Sequence, residues 1–539
     1  MSFFKNNFKV LLPIYFSIAV VIGIVIGGIL STNSTFRKPL LSFHVGQFNK
    51  LNSVINSIET DYVDTINDKN IVEEAIRGML HNLDPHSIYI PAEDLKEVNE
   101  PLEGNFEGIG VEFHIQEDTI IVVSAIAGGP SEAVGIKSGE RIVKIDGKNV
   151  AGIKIANKDV FKKLRGPGGT KVTVSVLNPG DNSLTDYTIT RGKIPIYSVD
   201  VGYMIDKGTG YIKVSRFATN TYNEFMDKLR ELQGKGMKNL ILDLKDNPGG
   251  YLTAATEIAN EFLEGKKMIV YTQGKARKKQ EYYSKNNGTF LKGKLAVLID
   301  EGSASASEIV AGALQDWDRA TIVGRRSFGK GLVQEQTGFP DGSAIRLTVA
   351  RYYTPTGRCI QRSYKDGAES YYDDVRNRAT DGELESADSI KLTDSIKFKT
   401  PGGKIVYGGG GIMPDVFVPI DTSGNSHFLT QVFTKGIIND FSYKYLDQNR
   451  KTIEAYKTFE EFNKRFDVTD EIYHRFIDYA VKVGIKADES GIRKSSPVIR
   501  NQIKALIARQ VWKNEGFYPV IHQKDETVRK ALEIINAAK

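Results

Sequence analysis

The sequence predicts a multidomain α+β chain, and three observations carry that prediction. Its 539 residues exceed what one hydrophobic core organises and fit about three to five folded units. The apolar pattern changes period along the chain, from helical spacing to short strands, then to alternating strands and helices, then back to helical spacing. An uncharged run precedes all of these. A hydrophobic content of 40% excludes a mostly disordered chain and supplies sizeable cores. The net charge of +6 gives no case for a nucleic-acid partner. A single cysteine, Cys359, excludes an internal disulfide, a thiolate zinc cluster and a CxxC pair.

Residues 10–30 (VLLPIYFSIAVVIGIVIGGIL) are uncharged, and at about 1.5 Å per residue such a helix crosses a hydrocarbon layer of about 30 Å. Lys5 and Lys9 precede the run, and GGILSTN makes a poor cleavage site, so the expectation is an uncleaved single-pass anchor with its N-terminus inside. Phe48, Leu51, Ile55, Ile58 and Tyr62, then Val72, Ile76, Met79 and Leu83, recur at helical spacing. His81 and His86 close that unit in HNLDPHS and lack a third or fourth ligand nearby, so they are read as structural and no metal is expected.

From about 100 to 192 come short strands (VEFHI, TIIVVSAI, RIVKIDG, KVTVSVL, DYTITR) separated by turn residues, with a short glycine-closed helix in GGPSEAVGIKSGE. This order, opening with FEGIGVEF, resembles a PDZ domain. The resemblance implies that backbone amides around Gly108, Ile109, Gly110 and Val111 receive a peptide's terminal carboxylate while the peptide adds a strand to the sheet edge. Residues 193–425 alternate strands and helices: the helix of Phe225, Leu229 and Leu232, strand NLILDL, helix YLTAATEIANEFLEG, strands MIVYTQG and KLAVLID. That alternation predicts a layered α/β domain with a buried sheet. After about 430, Ile499, Ile503, Leu506 and Ile507 mark a helical tail without an interpretable motif.

Chemistry concentrates in KLAVLIDEGSASASEIVAGALQDWDRATIVGRRSFGKGLVQ, residues 294–334. A strand ends at Asp300 and a helix starts near Ala306, with Glu308 in its first turn where an acid suits the dipole. Ser303, Ser305 and Ser307 compete at that junction, close to free backbone amides that can receive a negative oxygen. A serine needs a base, and no histidine lies between positions 115 and 426. A desolvated lysine can serve, and Lys330, flanked by Gly329, Gly331, Phe328 and Leu332, is the candidate. GRRSFGKG lacks the Ser or Thr of a phosphate-binding loop. Ser327 and Lys330 form an SxxK pair, but the glycines there oppose a helix.

GSASASE followed by FGKGLVQ resembles the carboxyl-terminal processing peptidases, or tail-specific proteases. That resemblance implies Ser305 as nucleophile, Lys330 as base and Gln334 as the group orienting the lysine. It also implies an oxyanion hole from Ala306 together with Gly249 or Gly250 of DLKDNPGG, a crotonase-like α/β core, and no cofactor. Lys245 stands where the family often carries arginine. The organisation then reads as a tail and anchor over 1–37, a helical segment over 38–95, a PDZ domain over 96–192, a Ser/Lys protease core over 193–428 and a helical domain over 429–539. Expected partners are protein substrates with free apolar C-termini and the membrane, with self-association or an adaptor assigned to the helical domain. The catalytic domains are expected on the periplasmic side of the inner membrane. Arg165, in LRGPGGTKV, is the residue expected to couple peptide capture to the dyad. The rival readings are a catalytically inactive PDZ scaffold that binds tails and an SxxK acyltransferase using Ser327.

Overall fold

The computed structural model describes residues 16–23, 45–178, 183–285, 287–390 and 396–537. The chain divides into two compact units, Met1–Ala75 and Ile76–Lys539. In the first, residues 16–23 form an exposed helical piece, and the helix Val45–Asp61 leaves Leu51 and Val54 exposed. The rest of the apolar run 10–30 lies outside the described residues, among which no helix is long and apolar enough to cross a membrane.

In the second unit, an antiparallel sheet runs in the order Val111–Gln116, Thr119–Ala125, Arg141–Ile145, Lys171–Leu177, Leu184–Thr190. Its inward residues, among them Ile120, Val122, Ile142 and Val174, pack with Val160 and Leu164. These last two belong to a helix, Asn157–Leu164, that the reading of residues 100–192 as strands plus one short helix does not contain. Two inward apolar positions in NKDVFKKL are too few to signal a period. The strand Val111–Gln116 stands at the edge of the sheet.

The α/β domain centres on six strands in the order Val199–Met204, Thr209–Val214, Asn239–Asp243, Leu295–Ile299, Thr321–Gly324, Val416–Phe417, parallel except for the first pair. Successive residues of a strand face opposite sides, and both sides are covered here. Leu240, Leu242, Val297 and Ile299 meet the helices Thr221–Gly234, Leu252–Asn260 and Ala306–Asp316. Ile241, Ala296 and Leu298 meet Val528, Ala531 and Ile535 of the helix Glu526–Asn536. The strand Met268–Gln273 departs from simple alternation. It joins a second sheet with Gln280–Tyr283 and Ala344–Tyr353, to which Ile88–Ile90 and Leu332–Gly338 also pair.

The helical domain has its own aromatic core, including Phe428, Phe441, Phe462 and Phe476. Several of its helices start at side-chain caps that serve otherwise orphaned amides: Ser426, Thr458 and Thr469 accept from Leu429, Glu461 and Ile472. It spans the outer face of the PDZ-like sheet and the α/β sheet. On the first, His114 stacks on Tyr443 at 4.0 Å and Gln116 Nε2 donates to the Asp440 carbonyl at 2.9 Å. On the second, Tyr518 donates to Asp200 at 2.6 Å and Lys245 Nζ to Asp525 at 2.6 Å.

Candidate active site

The strand Leu295–Ile299 delivers the chain into a turn held by Asp300, whose Oδ1 accepts from the amides of Asp246 (2.9 Å) and Gly302 (3.0 Å). Burial and the neighbouring Asp246 carboxylate raise the Asp300 pKa to about 6. Ser303 and Ser307 are fully buried and spent on structure, donating to the carbonyls of Leu244 (2.8 Å) and Asn247 (2.9 Å). Ser327, the SxxK candidate, is equally buried, donating to Glu308 at 2.5 Å and accepting from the Ile412 amide at 2.6 Å. Ser305 alone of the four lines a cleft of about 610 Å³. Its backbone sits at φ 54°, ψ −111°, directly before the helix Ala306–Asp316. A side-chain-bearing residue there stores about 1–3 kcal/mol of strain.

Lys330 lines the same cleft. Two buried groups fix it relative to Ser305. Glu308 accepts from the amides of Ser305 (2.8 Å), Gly329 (2.7 Å) and Lys330 (2.9 Å). The Tyr352 hydroxyl lies 3.0 Å from the Ser305 carbonyl oxygen and 2.7 Å from that of Lys330. Burial raises the Glu308 pKa, and its donors oppose that rise. Lys330 Nζ donates to Gln334 Oε1 at 3.1 Å, and Gln334 Nε2 donates to the His86 carbonyl. Burial and the Arg346 guanidinium pull the Lys330 pKa below its usual value, while Asp84 and Glu308 pull the other way. Among the described residues no hydrogen bond joins Ser305 Oγ to Lys330 Nζ; such contacts often tighten only when substrate binds.

The two candidate glycines differ. The Gly249 amide is already taken by Asn247 Oδ1 at 2.9 Å. Phe217 and Tyr251 carry the bridge beside it, with Phe217 N to Gly249 O at 2.9 Å and Tyr251 N to Phe217 O at 2.7 Å. The amides of Gly250 and Ala306 have no acceptor among the described residues. Gly250 has φ 144°, and a β-carbon there would overlap the Phe217 carbonyl, so glycine is required.

In the PDZ-like sheet, Gly110 takes φ 77°, Ile109 is buried with its carbonyl accepting from Ser131, and Val111 begins the edge strand, with Gly108 ending the preceding one. Phe113 on the strand and Phe161 on the nearby helix have rings 5.2 Å apart. Arg165 donates to Glu100 Oε2 at 2.7 Å and lies over the Phe106 ring at 4.6 Å. Glu100 belongs to the helix Leu95–Glu103, whose Val98, Asn99 and Leu102 line the cleft. No described residue of the helical domain lines that cleft. The described residues contain no cluster of three metal-ligating side chains. Cys359 is a half-buried free thiol whose pKa burial raises.

Sequence reasoning missed Tyr352 and Asn247, and read Glu308 only as a partner of the helix dipole. It also missed the contribution of HNLDPHS, whose backbone supports Gln334. The spacing of Glu308 behind Ser305 is a usable signal for a capping role, and that of Asn247 before Gly249 for a side-chain turn; Tyr352 and the His86 carbonyl act across long sequence separations.

Residues 208–368 match Peptidase family S41, 121–178 a PDZ domain, 31–94 the Activating protease CtpB N-terminal domain, and 428–513 a family of unknown function. The carboxy-terminal-processing protease of Bartonella bacilliformis is 38% identical over 320 residues, 58% of this chain and 73% of that protein. The carboxy-terminal processing protease CtpA of Bacillus subtilis is 35% identical over 317 residues, 59% of this chain and 67% of that protein. Among solved structures, a photosystem II D1 C-terminal processing protease is similar at 26% identity and a TM-score of 0.37, covering 70% of this chain and 88% of that one. A serine-type endopeptidase with a PDZ domain is what these matches define. The chain belongs to peptidase family S41, whose relatives are named carboxy-terminal processing proteases.

Proposed function

We propose that the protein is a membrane-anchored endopeptidase with a Ser305–Lys330 dyad that captures substrate C-termini on its PDZ domain. The observation that carries the dyad is a half-buried amine held by a neutral amide, in the same cleft as a strained serine at a helix start. A carboxylate partner in place of Gln334 would hold the amine charged; an amide oxygen orients it without adding charge. Ser305 Oγ attacks the peptide carbonyl as its proton passes to Lys330 Nζ, and the amides of Gly250 and Ala306 receive the developing oxyanion. The ammonium returns that proton to the leaving amine. Lys330 then deprotonates a water that hydrolyses the ester, and Ser305 regains its proton.

Val98, Leu102, Leu252, Ile309 and Leu332 give the cleft an apolar wall suited to apolar substrate side chains. The free edge of Val111–Gln116, beside Phe161, suits an added peptide strand, and tethering a tail there raises the local concentration of the chain to be cut. Cleavage of a poorly folded substrate with an apolar C-terminus is expected to disappear in Ser305→Ala and to persist in Ser327→Ala. Tail binding with no cleavage by the wild type would favour the inactive scaffold, and loss in Ser327→Ala alone would favour the acyltransferase.

Residues 10–30 are proposed to anchor the enzyme with its catalytic domains outside the cytoplasm. The full chain is then expected to sediment with membranes through a high-salt wash, and a chain lacking residues 1–37 to stay in the supernatant. Equal release of both would remove the anchor from the proposal.

A further inference from the structure

Gln334 can present either end of its amide to Lys330, and only one is compatible with a base. With Oε1 toward the amine, an N–H of Lys330 is used and the nitrogen lone pair is left for the serine proton. Turned over, Nε2 would donate into that lone pair and block it. The orientation is decided outside the amide, by the His86 carbonyl, which accepts from Nε2 and would face oxygen against oxygen if the amide turned.

That carbonyl belongs to a turn pinned from several sides. Asp84, buried at 8% exposure, accepts from the amides of His86 (2.8 Å) and Ser87 (2.9 Å), from Ser87 Oγ (2.6 Å) and from Thr348 Oγ1 (3.1 Å). Ser87 Oγ in turn accepts from the Thr348 amide at 3.1 Å, and Thr348 is the registered partner of Gln334 across the hairpin. Tyr372 donates to the Pro85 carbonyl at 2.6 Å, and the His86 ring nitrogen lies 3.0 Å from the Tyr371 hydroxyl.

We propose that Asp84 is a positioning residue for the protease reaction: by fixing the turn 84–87 it aims the His86 carbonyl at Gln334, which keeps the Lys330 lone pair free. The proposal rests on the Ser305–Lys330 reading. Asp84 touches neither substrate nor the reacting atoms, so its whole effect runs through Gln334 and through its charge.

The test is a cycle of Asp84→Asn, Gln334→Ala and the double variant, with kcat and KM measured separately and folding checked by thermal unfolding. Asp84→Asn keeps the side-chain volume, removes the charge and exchanges Oδ2, the acceptor for Ser87 Oγ, for an amide donor. Misplacing a reacting group by an ångström can cost about 100-fold, and a fall in kcat of that order with KM unchanged is expected in the wild-type background. In the Gln334→Ala background the same change is expected to cost under about twofold, because the relay is already cut. Equal losses in both backgrounds, or no loss in either, would overturn the proposal.

The groups acting on the amine are Arg346, Asp84 and Glu308, and His86 stays neutral because burial and Lys330 lower its pKa to about 4. Removing the Asp84 charge is therefore expected to move the rising limb of kcat/KM to lower pH, which a purely structural role would not do. Should Asp84→Asn fail to fold, Thr348→Val tests the same relay and is expected to give a smaller kcat loss that again vanishes beside Gln334→Ala; a loss persisting there overturns the role. Activity surviving Lys330→Ala would overturn the dyad and this role together, whereas an inactive Lys330→Ala with an unimpaired Asp84→Asn would overturn this role alone.

Discussion

Turnover of a C-terminally tailed substrate is expected to fall by about 100- to 10,000-fold when Lys330 is replaced by arginine, the usual range for losing a general base. The substitution keeps a long basic side chain, so lost bulk does not explain the result. A guanidinium stays protonated at every working pH and has no lone pair to offer. In the wild type, activity is expected to rise with pH as the Lys330 ammonium deprotonates, with a midpoint below the ordinary lysine value of 10.5, because burial and Arg346 favour the neutral amine. The same depression has a stability consequence of definite sign. Between the lowered folded pKa and 10.5 the unfolded chain holds more protons, so this group makes the fold more stable as pH rises through that window and less stable as it falls. Lys330→Met removes the cost of burying the amine. It is therefore expected to be inactive yet to unfold at higher urea than wild type near neutral pH. An active Lys330→Arg, or a pH profile flat from acid to alkaline, would rule out a lysine base.

The helix start at Ala306 and the placement of small residues before it were legible in sequence because N-terminal caps and turns are local chemistry. Which of the three serines faces substrate was not. Ser303 and Ser307 are removed from contention by the carbonyls of Leu244 and Asn247, on a turn some sixty residues earlier. Glu308 shows the same limit. Its spacing fits a capping carboxylate, but its hold on Ser327, Gly329 and Lys330 exists only after the chain has folded back. The strand Met268–Gln273 has the apolar character of its neighbours, and its departure to the second sheet is decided by pairing with Ala344–Tyr353. The His86 carbonyl carries no sequence signal at all, since every residue has one. The imidazoles of HNLDPHS are its visible chemistry in sequence, whereas its backbone is what reaches Gln334.

The helical domain supplies the largest expected effect on stability. Deleting residues 524–539 is expected to lower the unfolding free energy by several kcal/mol and to reduce proteolysis in parallel. The helix Glu526–Asn536 buries Val528 and Ile535 almost completely against the face of the sheet opposite the catalytic helix. Two such side chains contribute about 3–6 kcal/mol between them, before the cost of ordering the helix is subtracted. The deletion would also uncover Tyr211, Ile241, Ala296 and Leu298. A second loss is electrostatic. Asp525 is the 2.6 Å partner of Lys245, which follows the strand Asn239–Asp243 and precedes the turn holding Gly249 and Gly250. Burial raises the Asp243 pKa on its own, but Lys213, Lys245 and the Tyr211 hydroxyl outweigh it and hold the carboxyl at about 2. Loosening Lys245 therefore disturbs the segment that carries the Gly250 amide. Asp525→Asn separates the two causes: it leaves the apolar contacts in place, so it is expected to reduce kcat while lowering the unfolding free energy by less than the deletion does. If the deletion unfolds at the wild-type urea concentration, the helix does not stabilise the sheet; if Asp525→Asn cleaves at the wild-type rate, the pair with Lys245 does not reach the oxyanion turn.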